Sequence, residues 1–152
     1  MYRKILVPLD GSELAECAIP HVEAVARGCE APQIVLMQVT EPIYLPGEYV
    51  ISEKDRKRLE AQHRATAEEY LGGLRRRLGE DGLSLAAAVI SGKVAETIVD
   101  YAEKNDVDLI VMATHGRSGV SRWALGSVAE RVLRLSCVPV LMVRAPGCAP
   151  GF

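Results

Sequence analysis

Strand-like and helix-like segments alternate along the whole 152-residue chain, which predicts an α/β fold of the doubly wound kind. Two further observations agree. The strand-like segments are continuous apolar runs, as strands covered on both faces require. The stretch Ala113–Ser127 joins one of those runs to a helix through glycine, hydroxyl and arginine residues. Right-handed crossovers then build a five-stranded parallel sheet with helices on both faces. If the chain runs outward through strands two and three, then returns to place strands four and five beyond strand one, the order is 3-2-1-4-5. A crevice opens between strands one and four, where ligands of such sheets bind.

Arg3–Leu9 is apolar and β-branched enough for the first strand, and Asp10-Gly-Ser12 supplies a turn and a helix cap. The helix that follows, Glu13 to Arg27, contains Pro20, so a kink or early break is expected there. Gln33–Val39 reads as the second strand, and Glu41–Ser52, with Pro42, Pro46 and Gly47, as a long irregular, mobile connection. From Glu53 to Gly79 the positions Leu59, Thr66, Tyr70, Leu74 and Leu78 recur at nearly helical spacing among charged neighbours. Gly72-Gly73 weakens the centre of that helix. Ser84–Ile90 is the third strand, Val94–Glu103 a helix after the Ser91-Gly92 turn, and Asp108–Ala113 the fourth strand. Ser127, with Glu130 three residues on, reads as a capping box opening the helix to Leu135. Val138–Val143 completes the sheet as an edge strand that tolerates Pro139 at its start. Residues 1–145 are expected to form one domain and 146–152 a frayed tail.

The composition is that of an ordinary globular protein, 49% hydrophobic and 25% charged, with net charge −2 and a pI near 5.9. No basic footprint for nucleic acid is present, and the run Arg75–Arg77 is offset by Glu68, Glu69, Glu80 and Asp81 as a solvated helix face. Cys17, Cys29, Cys137 and Cys148 show no C-x-x-C pairing, and His21, His63 and His115 lack zinc-ligand spacing. No signal peptide or membrane-length apolar run is found, so a reducing cytoplasm and no membrane partner are expected.

The segment before the last helix looks built to hold phosphate. Backbone N–H groups gather at the Gly126-Ser127 corner, and a helix start favours an anion over water. The usual nucleotide signatures are missing: there is no G-x-x-x-x-G-K-[ST], and Pro8-Leu-Asp-Gly-Ser12 lacks G-x-G-x-x-G. A phosphorylated receiver domain is excluded as well, because the third strand ends Val89-Ile-Ser91 with no acceptor aspartate.

Ile5-Leu-Val-Pro-Leu-Asp-Gly-Ser12, together with Ala113-Thr-His-Gly116 through Gly126-Ser-Val-Ala-Glu130, resembles the universal stress protein family. The similarity spans nearly the whole chain. ATP-binding members of that family carry G-x-x-G, nine residues, then G-[ST], and here Ala113-Thr-His-Gly116 is followed by nine residues and Gly126-Ser127. Ala113 replaces the first glycine. A methyl group there costs about 1 kcal/mol where a positive φ is required, and an alanine that continues the strand keeps ordinary β geometry.

The resemblance implies ATP as ligand, with or without Mg²⁺. By the same resemblance Pro8, Asp10 and Val39 line the adenosine half of the pocket. Met112, Ala113, His115 and Gly116 face ribose and phosphates, and Gly126, Ser127 and Val128 complete the phosphate end. It also implies a homodimer through antiparallel pairing of the edge strand 138–143, and a nucleotide-responsive regulator of the stress response with an unknown protein partner. In that reading occupancy orders the Arg117–Leu125 loop. The residues themselves agree: Val39 and Met112 can sandwich a planar base, Asp10 can accept from ribose or adenine donors, and Ser127 can donate to phosphate.

Each has a plainer role as well. Asp10 reads equally as a turn acceptor, Ser127 as a helix cap, Val39 and Met112 as core, and His115 as a surface loop histidine. Arg117 and Arg122 are second-tier phosphate partners, and Trp123 reads as an anchor for its loop. Two other functions stay open. A slow ATPase or self-phosphorylating protein would need metal-holding acids, and only Asp10 is a candidate near the pocket. A nucleotide-free dimeric scaffold would account for Ala113 directly.

Overall fold

The computed structural model describes residues 1–29, 33–43, 51–79, 82–115 and 126–144. The elements are β1 Lys4–Pro8, α1 Glu13–Glu16, α2 Ile19–Gly28, β2 Gln33–Thr40, α3 Glu53–Gly79, β3 Ser84–Ser91, α4 Val94–Lys104, β4 Leu109–Ala113, α5 Ser127–Leu135 and β5 Val140–Val143. All strand pairings are parallel, in the order β3-β2-β1-β4-β5. The expected topology is therefore the one observed. Part of the 41–52 connection (residues 44–50) and the tail 146–152 fall outside the described residues.

Strand parity divides the core in two. Ile5, Val7, Ile34, Leu36, Leu109 and Val111 pack against α1, α2 and α3. Leu6, Val35, Met37, Ile110 and Met112 point the other way, against α4 and α5. Successive side chains of a strand face opposite sides, so apolar runs rather than alternating ones are what this double burial needs. β1, at the centre, holds Ile5, Leu6 and Val7 without solvent contact.

Pro20 breaks the first helix rather than bending it. α1 ends at Glu16, the residue whose carbonyl the Pro20 ring would strike, and α2 restarts with the proline in its first turn. Glu16 then serves two partners on α3: the Tyr70 hydroxyl donates to it at 3.0 Å and the Arg77 guanidinium pairs with it. Burial, and then the Glu16 carboxylate, push the Tyr70 phenol far above its usual range.

α3 is unbroken through Gly72-Gly73. Its buried residues are Ala67, Leu71, Leu74 and Leu78, so Leu74 and Leu78 are placed as expected while Thr66 is exposed and Tyr70 only half-buried. The helix runs from the carboxyl edge of the sheet back to the start of β3, and its first buried residue is Ala67. Residues 53–66, about 21 Å of helix at 1.5 Å per residue, therefore rise past that edge. This part is held by i,i+4 ion pairs such as Lys57–Glu53 at 2.8 Å and Arg56–Glu60 at 3.0 Å.

At the opposite edge, Asp108 accepts from the Arg3 and Lys4 amides at 2.8 and 3.1 Å, and Lys4 Nζ donates to the Asn105 carbonyl at 2.9 Å. These bonds brace β1 to β4. On the far face, Arg131 Nε donates to Glu96 at 2.8 Å, tying α5 to α4.

Candidate functional site

A cavity of about 600 Å³ opens at the carboxyl ends of β1, β2 and β4, the size of a small-molecule site. Pro8, Asp10, Val39, Met112, Ala113, His115, Gly126, Ser127 and Val128 all line it. Gly116, with Arg117, Arg122 and Trp123, lies outside the described residues. Asp10 and Gly126, far apart in the chain, thus meet at one crevice between β1 and β4.

The Asp10 turn is built as its residue types suggest. Asp10 Oδ1 accepts from the Ser12 amide at 2.9 Å and the Ser12 hydroxyl at 2.6 Å. Ser12 Oγ in turn accepts from the Ala15 amide at 3.2 Å and caps α1. Gly11 between them has φ 82°, a left-handed conformation that costs glycine little. The turn role of Asp10 is therefore real, and the residue still borders the cavity.

The α5 start differs from the expected capping box. The N-cap is Gly126, not Ser127, and no side chain caps the helix. The Gly126 carbonyl accepts the first helical bond, from the Glu130 amide at 2.9 Å, while the Gly126 amide donates to the Thr114 carbonyl at 2.8 Å. Ser127 becomes the first helical residue, and Glu130 pairs with Arg134 at 2.8 Å instead of reaching back. The first-turn amides of Ser127, Val128 and Ala129 have no intrahelical acceptor, and all three residues border the cavity. An uncapped helix start favours an anion through its dipole and its free donors.

A side chain at position 126 has no room. A Cβ there would lie 2.7 Å from the Thr114 carbonyl oxygen. Thr114, a residue the sequence did not single out, organises this corner: its amide donates to the Val143 carbonyl at 2.8 Å, and its Oγ1 lies 3.1 Å from His115 Nδ1. It is buried, with β5, α5 and His115 all fixed to it. Ala113 is the last residue of β4, registered with Val143, and among the described non-glycine residues only Asp106 has a positive φ. The methyl group that replaces glycine therefore adds no backbone strain.

Val39 and Met112 share the α4/α5 side of the sheet, on the strands flanking β1. They cover one side of the crevice together, which corrects the expected sandwich: residues of equal parity cannot close on a ligand from both faces. Val39 offers more than its side chain. The β1–β2 ladder ends where the Leu9 amide donates to the Met37 carbonyl at 2.8 Å. Two residues on, the same alternation turns the Val39 N–H and C=O toward the space beyond β1.

The opposite side, absent from the sequence reading, comes from Ala15, Gln38, Ala67 and the rising part of α3, namely His63 and Thr66. Glu41 is also at the rim, so Asp10 is not the only carboxylate there. Among the described residues, no group of three or more His, Cys, Asp or Glu side chains could hold a metal ion.

The profile of the universal stress protein family matches residues 1–144. The chain belongs to the universal stress protein family. It is 34% identical to universal stress protein MJ0531 of Methanocaldococcus jannaschii over 96% of this chain and 84% of that one. The structure of MJ0577 from the same organism superposes with a TM-score of 0.84 at 31% identity, covering 97% and 99% of the two chains. A family protein of Arabidopsis thaliana with AMP bound shares the fold, with a TM-score of 0.68 at 18% identity over 95% and 92%. Among the described residues, no helix is long and apolar enough to cross a membrane.

Proposed function

We propose that this universal stress protein binds ATP in the cavity above β1 and β4 and acts as a nucleotide-responsive regulator. The observation that carries the reading is the start of α5, which no side chain caps and whose first three residues line the cavity. Phosphates take its first-turn amides, with Ser127 Oγ beside them. The base lies beyond the end of β1 and pairs with the Val39 N–H and C=O, while Val39 and Met112 cover one of its faces. Pro8, Asp10, Ala113 and His115 line the space between, and Gly116 adjoins them in sequence. Bound AMP in a protein of this fold supports an adenine nucleotide as the ligand class.

Mg²⁺ would arrive on the triphosphate and keep most of its waters, with Asp10 and Glu41 as the nearby carboxylates. Residues 116–125 lie in sequence between His115 and Gly126, both of which line the cavity. Nucleotide in the cavity would touch both of these flanking residues, and that segment is the one proposed to signal occupancy to a partner protein. A homodimer through 138–143 is part of the proposal, since among the described strands β5 pairs only with β4 and leaves Leu141 exposed at the sheet edge. The thiols of Cys17, Cys29 and Cys137 fit a reducing cytoplasm.

Isothermal titration with ATP and Mg²⁺ tests the reading, alongside chromatography of nucleotide released from denatured purified protein. Saturable heat, or co-purified ATP, ADP or AMP, is expected. Folded protein that gives neither at millimolar nucleotide favours the nucleotide-free scaffold.

A further inference from the structure

We infer that His63, on the rising part of α3, is the residue that covers the second face of the bound base and so sets the preference for a base-bearing ligand. The inference rests on the adenine-nucleotide reading above.

A base paired with the Val39 backbone extends the sheet in its own plane, because the groups it meets are the next rung of the β1–β2 ladder. Its two faces then look toward the two helical layers. One face meets Val39 and Met112, whose side chains belong to the α4/α5 layer. The other looks toward α3. There the cavity is lined by Ala15, Gln38, Thr66, Ala67 and His63, and among these described residues only His63 carries a ring. Ala67 and Thr66 are too short to cover a purine, and the Thr66 hydroxyl is already donated to the Gln62 carbonyl at 3.0 Å.

The helix places that ring with little freedom. His63 falls four residues before Ala67 and eight before Leu71, on the stripe that continues to Leu74 and Leu78 in the core. That stripe locks the helix to β2 and β3, and the same face carried upward points His63 over the cavity. His63 is exposed, so a base laid against it removes apolar ring surface of both partners from water. The phosphate end is elsewhere, at α5 in the other layer. His63 therefore acts on the nucleoside half alone.

The test compares the wild-type chain with His63→Ala and His63→Phe, titrated with AMP, ATP and inorganic tripolyphosphate. Helix content by circular dichroism serves as the folding check. His63→Ala should weaken AMP and ATP by a similar factor, about tenfold, the effect of losing one base–ring stack. Tripolyphosphate binding should be unchanged, and His63→Phe should bind AMP as wild type does. If wild type binds AMP or ATP and His63→Ala matches it, the His63 assignment falls while the nucleotide reading stands. It falls likewise if His63→Phe is as weak as His63→Ala, or if tripolyphosphate weakens in parallel. Wild-type protein that binds neither nucleotide overturns both.

Discussion

Replacing Gly126 by alanine is the sharpest test of how α5 is docked. The added Cβ would stand 2.7 Å from the Thr114 carbonyl oxygen, roughly 0.7 Å inside ordinary van der Waals contact, and that oxygen belongs to the backbone. It cannot swing away. It is the same atom that accepts the Gly126 amide at 2.8 Å, so relieving the clash stretches that bond. Overpacking of this kind costs about 1–3 kcal/mol, and a compromised hydrogen bond about 1 kcal/mol more. The midpoint of urea unfolding should report a loss of about 2–4 kcal/mol.

The displaced helix start also carries the Ser127, Val128 and Ala129 amides away from the phosphate position. A hydrogen bond to a charged group contributes about 1.5–3 kcal/mol, so ATP affinity should fall at least tenfold when titrated well below the transition temperature. Gly28→Ala is the control. A Cβ at Gly28 meets nothing within 4 Å, and both readouts should stay near wild type. If Gly126→Ala matches that control in stability and in ATP binding, the docking argument and the phosphate role of the α5 start are both refuted.

Gly73→Ala should stabilise the protein by about 0.5–1 kcal/mol, since the new methyl meets only the Arg76 guanidinium at 3.9 Å and glycine is a poor interior helix residue; a thermal melt reads it. Leu141→Lys should weaken self-association by placing a charge on the exposed edge of β5, and light scattering that shows an unchanged dimer mass would contradict it. Folding raises the Tyr70 phenol above its ordinary 10.0, so the folded chain holds that proton longer than the unfolded one. The resulting stability is present below about pH 10 and is lost as pH rises through the higher folded value. Tyr70→Phe should therefore flatten the alkaline fall of the urea midpoint between about pH 9 and pH 12.

Much of this architecture was legible because local signals and tertiary packing agree. α3 and α5 begin and end at the predicted residues, Glu53–Gly79 and Ser127–Leu135, and the Pro20 break follows from one ring and one missing N–H. The family pattern brought the cavity residues of β1, β2 and β4 together. What escaped the sequence depends on contacts between distant segments. The Ser127–Glu130 spacing is a good capping box taken alone, but the cap falls on Gly126, whose amide is held by the Thr114 carbonyl. His63 enters the sequence only as a histidine without zinc-ligand spacing, and its place at the cavity follows from the packed Leu71–Leu78 stripe that fixes which way α3 turns its upper half. The Val39–Met112 pair was misjudged because each position was read without the parity of its strand.

β1 and β4 are registered only through Ile5↔Leu109 and Leu6↔Ile110, near the end where Asp108 grips the Arg3 and Lys4 amides. The seam is thus closed at one end by Asp108 and open at the other, where the cavity lies. A molecule held there would touch both the amino-terminal segment Pro8–Asp10 and the carboxyl-terminal segment Gly126–Val128, and so bridge stretches of chain more than a hundred residues apart.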